Sequence, residues 1–351
     1  MVIISLQGDL PMTDKFTTKG FADYFIEQRG YADTFLEKID MLINWKNIES
    51  LLNKKYKKVE SADGRPAYPP LPMFKLLLLQ RWNNLSDPQT EAALKDRISF
   101  ILFTGFSISS SIPDYSTICR FRNALLELNI YEKLMDEINS QIESKGLMVK
   151  EGAIVDATII ESSRRPRKVI EVMPEDRHEE KSEMPAPVVT YSDDPDANWI
   201  KKGKRAYYGY KGHISVDAKE GFILGGHITP ASTADTAELE RIINESGIPE
   251  GSPVFADKGY ASAGNRSILA DKKLIDGIMH KAYRNKPLTS AQRIINRLIS
   301  SVRYKVEQSI GTLKRGYQFF RMRYKGLKKG NMEFLLNAMA FNLKKAAAMI
   351  E

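Results

Sequence analysis

Beyond Lys150 the spacing of apolar residues changes from a helical period to a strand period, and the first segment past that change, residues 152–160 (GAIVDATII), carries one charge, Asp156, at its centre. A short run of β-branched and small apolar residues reads as a buried strand. A carboxylate in the middle of such a strand is costly unless it is paired, bound to a cation, or set on an open face. The chain must therefore build a largely covered sheet with a place where Asp156 is useful.

The segments that follow fit such a sheet. Residues 207–217 and 222–229 read as two strands joined by a turn at 218–221. A helix is expected over 233–245, a strand over 253–256, a helix over 265–272, a strand over 274–279, and a long amphipathic helix from 302 to about 320. The order β, β, β, α, β, α, β, α matches an α/β, RNase H-like core, a mixed sheet flanked by helices. Residues 162–205, with 10 basic and 9 acidic residues and several prolines, read as a polar surface excursion.

An all-α N-terminal domain is expected ahead of this core, giving domains 1–150 and 151–351. Helices are read over 20–54, over 73–83, after a cap at Ser86, and over 117–128 after a cap at Ser116. A linker rich in proline spans 54–72, with a turn at Gly64-Arg65-Pro66. Two short helices, a turn, and a basic helix carrying Arg120 and Arg122 fit a helix-turn-helix-like DNA reader, although an ordinary helical bundle fits as well. The expected role of this domain is DNA binding and dimerisation.

Charge narrows the partners. The 351 residues carry a net +8, but residues 281–351 alone hold 16 Lys+Arg against 3 Asp+Glu. A basic block of this kind, interleaved with Tyr304, Tyr317, Phe319, Phe320 and Tyr324, fits a polyanion partner, nucleic acid above all. The single cysteine, Cys119, excludes a disulfide framework and a cysteine-based zinc site. No apolar block approaches the roughly 20 residues of a membrane span. A soluble, cytoplasmic protein is expected, with no membrane partner and no small-molecule cofactor.

Two further acids join Asp156. Asp257 directly follows the strand 253–256, and open α/β sheets build their sites at such strand ends. Glu307 lies on the long C-terminal helix, on one stripe with Arg303, Gly311 and Lys314. An adjacent apolar stripe of Val306, Ile310, Leu313 and Tyr317 would dock on the sheet. Each acid alone could serve locally, as a turn cap, a helix start, or an i,i+4 partner of Arg303. Three converging carboxylates would instead repel one another until a divalent cation joined them, and hard oxygen ligands select Mg²⁺ or Mn²⁺. Two such ions about 3.5–4 Å apart suit in-line attack on a phosphodiester. Arg303 and Lys314 would hold phosphates beside them.

Several motifs together carry a resemblance: residues 155–160 (VDATII), 209–213 (GYKGH), 256–260 (ADKGY), Arg303-x3-Glu307-x6-Lys314, and 323–326 (RYKG). In the N-terminal half, residues 84–87 (NLSD), 113–117 (PDYST) and 120–122 (RFR) contribute. The chain resembles a bacterial insertion-sequence transposase of the DDE type, in the group named after insertion sequence five, over roughly residues 20–345. The resemblance implies an RNase H-like fold, Mg²⁺, and Asp156, Asp257 and Glu307 as the catalytic and metal-binding acids. It also implies action on terminal inverted repeats and transfer of a 3′-OH into target DNA, with a homodimer on double-stranded DNA at the nucleoid. One departure stands out: the family's last-helix signature begins with a tyrosine where this chain has Ser300.

Secondary candidates surround the acids. Lys211 and His213 alternate onto one face of their strand, to touch DNA or simply to face solvent. Tyr260 would pack or bind phosphate. Arg315, Arg321, Arg323 and Lys325 would contact phosphates without regard to sequence. Two other functions fit the same features: an RNase H-like nuclease that cuts without joining, and a domesticated DNA-binding protein that uses only the N-terminal half.

Overall fold

A computed structural model describes residues 16–30, 34–56, 67–164, 167–170, 189–192 and 194–350. The turn at 64–66 and residues 171–188 of the polar excursion lie outside the described residues. The chain divides into two units. One holds residues up to Val149 together with those from Leu335 on; the other is Lys150–Phe334. The stretch from Leu335 on, expected in the second domain, therefore belongs to the helical one.

The helical unit contains α1 (Phe21–Arg29), α2 (Thr34–Leu42), α3 (Trp45–Lys55), α4 (Pro70–Trp82), α5 (Asp87–Asp96), α6 (Ile98–Thr104), α7 (Tyr115–Glu127) and α8 (Tyr131–Ser144). α4 is its hub. Its sequence, PLPMFKLLLLQRW, is apolar on nearly every side, as a helix surrounded by others must be. It packs against α3, α5, α6 and α7, with Leu76 to Leu79 fully buried. Ser86 caps α5 as expected, in a capping box with Gln89. α7, however, is capped by Asp114 rather than Ser116: its Oδ1 accepts from the Thr117 N–H at 2.7 Å, and the helix begins at Tyr115.

Arg122 is not the surface DNA contact expected of it. The side chain is buried and clamps Asp87 with two bonds, Nη1 to Oδ1 at 2.7 Å and Nη2 to Oδ2 at 2.6 Å. Gln80 Nε2 donates to Asp87 Oδ1 at 2.7 Å. This network ties α4, α5 and α7 together. Arg120 on the same helix is exposed, with Nη2 near the Ser116 and Thr117 hydroxyls.

The second unit contains β1 (Ala153–Glu161), β2 (Arg167–Ile170), β3 (Val189–Ser192), β4 (Asn198–Lys202), β5 (Arg205–Asp217), β6 (Ile223–Pro230), α9 (Leu239–Ser246), β7 (Pro253–Ala256), α10 (Ala263–Asp271), β8 (Ile275–Ile278) and α11 (Ser290–Gly316). The sheet runs β4-β5-β1-β7-β8, and β6 pairs with the remainder of β5. β5 is antiparallel to β1, β4 and β6, whereas β7 is parallel to β1 and to β8. This is an RNase H-like mixed sheet. Part of the expected excursion is structured: β2 and β3 pair with each other, and β4 joins the main sheet because β5 starts at Arg205, early enough to pair with it.

Helices cover both faces of the sheet. Leu239, Ile242 and Ile243 of α9 and Leu269 of α10 join Val155, Val254 and Ala256 in one core. α9 lies so close to β6 that a Cβ on Gly225 would stand 2.6 Å from the Glu245 carbonyl oxygen, so only glycine fits there. α11 packs against β1, β5 and β7 through Val306, Ile310 and Leu313. It starts twelve residues before the expected point, behind a capping box of Thr289 and Gln292. Its early apolar residues Ile294 and Leu298 face solvent, which hid that extension from the periodicity.

The last helix, α12 (Leu327–Met349), begins in this unit and ends in the helical one. Within the helical unit Trp82 Nε1 donates to the Ala340 carbonyl at 2.8 Å, and Asn342 Nδ2 donates to Asn139 Oδ1 at 2.8 Å.

Burial would push the Asp87 carboxyl up, but Arg122 and Gln80 hold it below its ordinary value. Arg122→Ala, which strands Asp87 without its partner, should lower folding stability by about 3 kcal/mol. The paired change Arg122→Met with Asp87→Leu should recover most of that loss. Because the folded carboxyl is the stronger acid, the pair's contribution is complete above pH ~4 and fades as pH falls through the folded value. Urea unfolding at neutral pH and near pH 3 checks both statements: the gap between wild type and Arg122→Ala closes in acid.

Candidate active site

The parallel ladder between β1 and β7 has three rungs, Ala153 with Val254, Ile154 with Phe255, and Val155 with Ala256. The next residues are Asp156 and Asp257. Two acids thus leave neighbouring parallel strands at one level, where β7 turns away and β1 continues, paired on its other side with β5. Strand ends that part in this way are where α/β sheets place ligands. Asp257 caps the turn Lys258–Tyr260 and accepts from the Gly259 N–H.

Glu307 comes from α11, whose apolar stripe is docked as the sequence implies, with Val306, Ile310, Leu313 and Tyr317 all buried. Glu307 itself is exposed. Asp156 records the company of both other acids. Its carboxyl is pushed up to about 6, first by burial and then by the negative charges of Asp257 and Glu307. Arg303 opposes the shift, with Nη2 at 3.4 Å from Oδ2, as does the Ala157 N–H donating to Oδ1 at 2.9 Å.

The donors are carboxylate oxygens from two strands and a helix, a set that fits a hard divalent cation. Among the described residues, however, no three His, Cys, Asp or Glu side chains stand close enough together to chelate one ion. The acids share a field rather than a formed cage. Gly311, one turn past Glu307 on α11, is bordered by the Arg315 side chain, whose Nη2 would stand 3.3 Å from a Cβ there.

Lys314 is half-buried on α11, and burial together with Lys202 draws its ammonium below the ordinary value while Asp156 resists. Lys202, at the end of β4, is a cation of this neighbourhood that the sequence reading did not single out, because it lay in the segment taken as an excursion. Asp235 was missed as well. It lies five residues past the end of β6, in the turn Asp235–Ala237, where it pairs with Lys211.

The secondary candidates divide. Arg315, Arg321 and Lys325 are exposed, and Arg323 is partly so. Arg321 Nη2 lies 3.8 Å from Glu161, and Arg315 Nε reaches the Gly311 carbonyl at 3.4 Å. Lys211 and His213 are corrections, since neither faces solvent or a DNA surface. Lys211 is buried, donating to the Thr233 carbonyl at 2.6 Å and pairing with Asp235 Oδ1 at 2.8 Å. His213 is fully buried, bonded to Thr229 Oγ1 at 2.9 Å and stacked on His227 at 5.2 Å; burial and the positive charges around it hold its imidazole down at about 3. Tyr260 is buried too, and so packs rather than meeting phosphate on the surface. Ser300 and Tyr304 are exposed on α11.

Residues 148–343 match the family described as "Transposase DDE domain", and residues 24–124 match "Transposase domain (DUF772)". The transposase for insertion sequence element IS1106 of Neisseria meningitidis serogroup B is 44% identical over 231 residues, which cover 65% of this chain and 77% of that one. A piggyBac transposase, solved by cryo-EM in a synaptic complex with hairpin DNA, superposes weakly, with a TM-score of 0.43 and 10% identity over 93% of this chain and 74% of that one.

The raised Asp156 carboxyl fixes a pH dependence. Its folded value lies above the ordinary 3.8, so the folded protein retains a proton that the unfolded chain has lost between the two values. Stability of the cation-free protein should therefore fall as pH rises from about 4 through about 6. Asp156→Asn removes the effect and should be more stable than wild type at pH 7.5 by at most about 3 kcal/mol, with little difference at pH 4. Urea unfolding in EDTA at the two pH values measures it.

Proposed function

Because the chain belongs to the DDE transposase family, we propose that it cuts DNA at the ends of an insertion sequence and joins the freed 3′-OH to target DNA. Asp156, Asp257 and Glu307 are the acids assigned to this chemistry. The observation that carries the assignment is the β1–β7 register, which ends in Asp156 and Asp257, with the charge of Glu307 felt at Asp156. When bound by these acids, two Mg²⁺ ions, or Mn²⁺ in their place, would supply Lewis acidity for in-line attack by water and then by the 3′-OH.

The chain's own groups account for the remainder. Asp156, its carboxyl pushed up to about 6, is ionised at neutral pH and so able to take a cation. The Gly259 N–H orients one Asp257 oxygen. Arg303 offsets the negative charge beside Asp156, and Lys314 presents an ammonium to phosphate. Exposed Arg315, Arg321 and Lys325, with Arg323, contact backbone phosphates regardless of sequence. The helical unit, with Arg120 exposed, recognises the terminal inverted repeats. Two ends are cut together, so the working species on DNA is a homodimer.

Asp156→Asn, Asp257→Asn and Glu307→Gln should each reduce end nicking in Mg²⁺ by roughly 1000-fold, the loss of several kcal/mol of cation chemistry. Binding to end-bearing duplex should change little. Sequencing gels of nicked and joined products, with intact and precut ends, provide the test. Strand transfer retained by Asp257→Asn would sink the assignment, and nicking with no joining of precut ends would reduce the protein to a nuclease.

A further inference from the structure

Tyr260 closes the turn that Asp257 caps, and it is 1% exposed. Its ring belongs to the core formed by Val155, Ala256 and Ile278. Its hydroxyl has no hydrogen-bond partner among the described residues. A buried phenol normally finds one, and an unmet donor costs about 1–3 kcal/mol. Phenylalanine would fill the same space without that cost, so packing accounts for the ring and not for the oxygen.

The surroundings of the hydroxyl are acidic. The negative charges of Asp235, Asp156 and Asp257 act on it, and the positive charge of Arg303 opposes them. Three carboxylates accept and do not donate, so the hydroxyl can serve them only as a donor. Asp235 is already ion-paired: its Oδ1 lies 2.8 Å from the Lys211 ammonium, without a hydrogen bond between them, and that ammonium donates to the Thr233 carbonyl at 2.6 Å. Its other oxygen flanks the turn, 3.6 Å from the point where a Gly259 Cβ would stand, and Asp257 Oδ1 lies 2.6 Å from that point. Among the described residues the Asp156–Asp257 pair has no cation as close as this, Arg303 Nη2 standing 3.4 Å from Asp156 Oδ2.

We propose that Tyr260 is a positioning residue for divalent cations: its hydroxyl donates to the Asp156–Asp257 pair as these acids close on an ion, with Asp235 neutralised behind it by Lys211. The inference rests on the reading of Asp156 and Asp257 as cation ligands. A donor behind a ligating carboxylate fixes which oxygen faces the ion, and partners of this kind are commonly worth 10- to 100-fold in affinity. On this reading the hydroxyl is matched once its carboxylate acceptor rotates toward it.

The test compares the full-length wild type, Tyr260→Phe and Asp156→Asn, titrated with Mg²⁺ alone and with Mn²⁺ alone. Binding is followed by calorimetry and by the rise in thermal midpoint. In EDTA, Tyr260→Phe should melt at or slightly above the wild-type midpoint. Its half-saturating cation concentration should be about tenfold higher or more, and Asp156→Asn should lose the response. Wild-type affinity in Tyr260→Phe, with the Asp156→Asn response lost, overturns the role of Tyr260 and leaves the cation site standing. A large drop in the EDTA midpoint of Tyr260→Phe also overturns it, by showing that the hydroxyl supports the fold. Equal responses from wild type and Asp156→Asn remove the cation reading itself, and this inference with it.

Discussion

The three-rung parallel ladder between β1 and β7 sets the position of everything chemical in this protein. Its last rung, Val155 with Ala256, is the point after which the two strands part. Had the register slipped by one residue, Asp156 and Asp257 would emerge at different levels and on opposite faces of their strands. The core of Val155, Val254, Ala256, Ile242 and Leu269 opposes such a slip, because it would turn that apolar set out of its packing. Helix α11 depends on the same ladder, since its stripe of Val306, Ile310 and Leu313 docks on the strands that the ladder aligns.

That placement works against stability. Asp156 is half-buried, flanked by two like charges, and relieved by Arg303 at a distance longer than a close ion pair. The fold tolerates this because the neighbouring core is dense and because β1 is held along its whole length by β5. Sites that gather like charges are destabilised in the absence of their ligand, and the surrounding elements supply the compensation.

Much of this arrangement was legible in the residues. β1, β5, β6, β7 and β8 announced themselves through strand-length apolar runs bounded by turns, and the docking stripe of α11 followed from helical geometry. The acids were visible as charges at strand centre and strand end. What escaped was whatever needed a partner distant in sequence. Alternation placed Lys211 and His213 on one face of β5 but could not say that α9 and α11 cover both faces of that strand. Arg122 read as basic surface because Asp87, its partner, lies 35 residues upstream. The cap of α7 fell to Asp114, whose own backbone is extended, two residues before the serine read as the cap. β4 was lost in a polar segment, where pairing with β5 rather than apolar content decides the structure. The return of the chain from Leu335 into the helical unit left no periodic signal.

That return has a consequence for the order in which the protein matures. The first 149 residues leave the ribosome long before α12, yet their bundle lacks the strand of contacts that Trp82 and Asn139 make with Ala340 and Asn342. The N-terminal bundle must therefore wait, incompletely packed, while the entire α/β unit is translated. Completion of the helical unit is in this sense a late event, set by the arrival of α12.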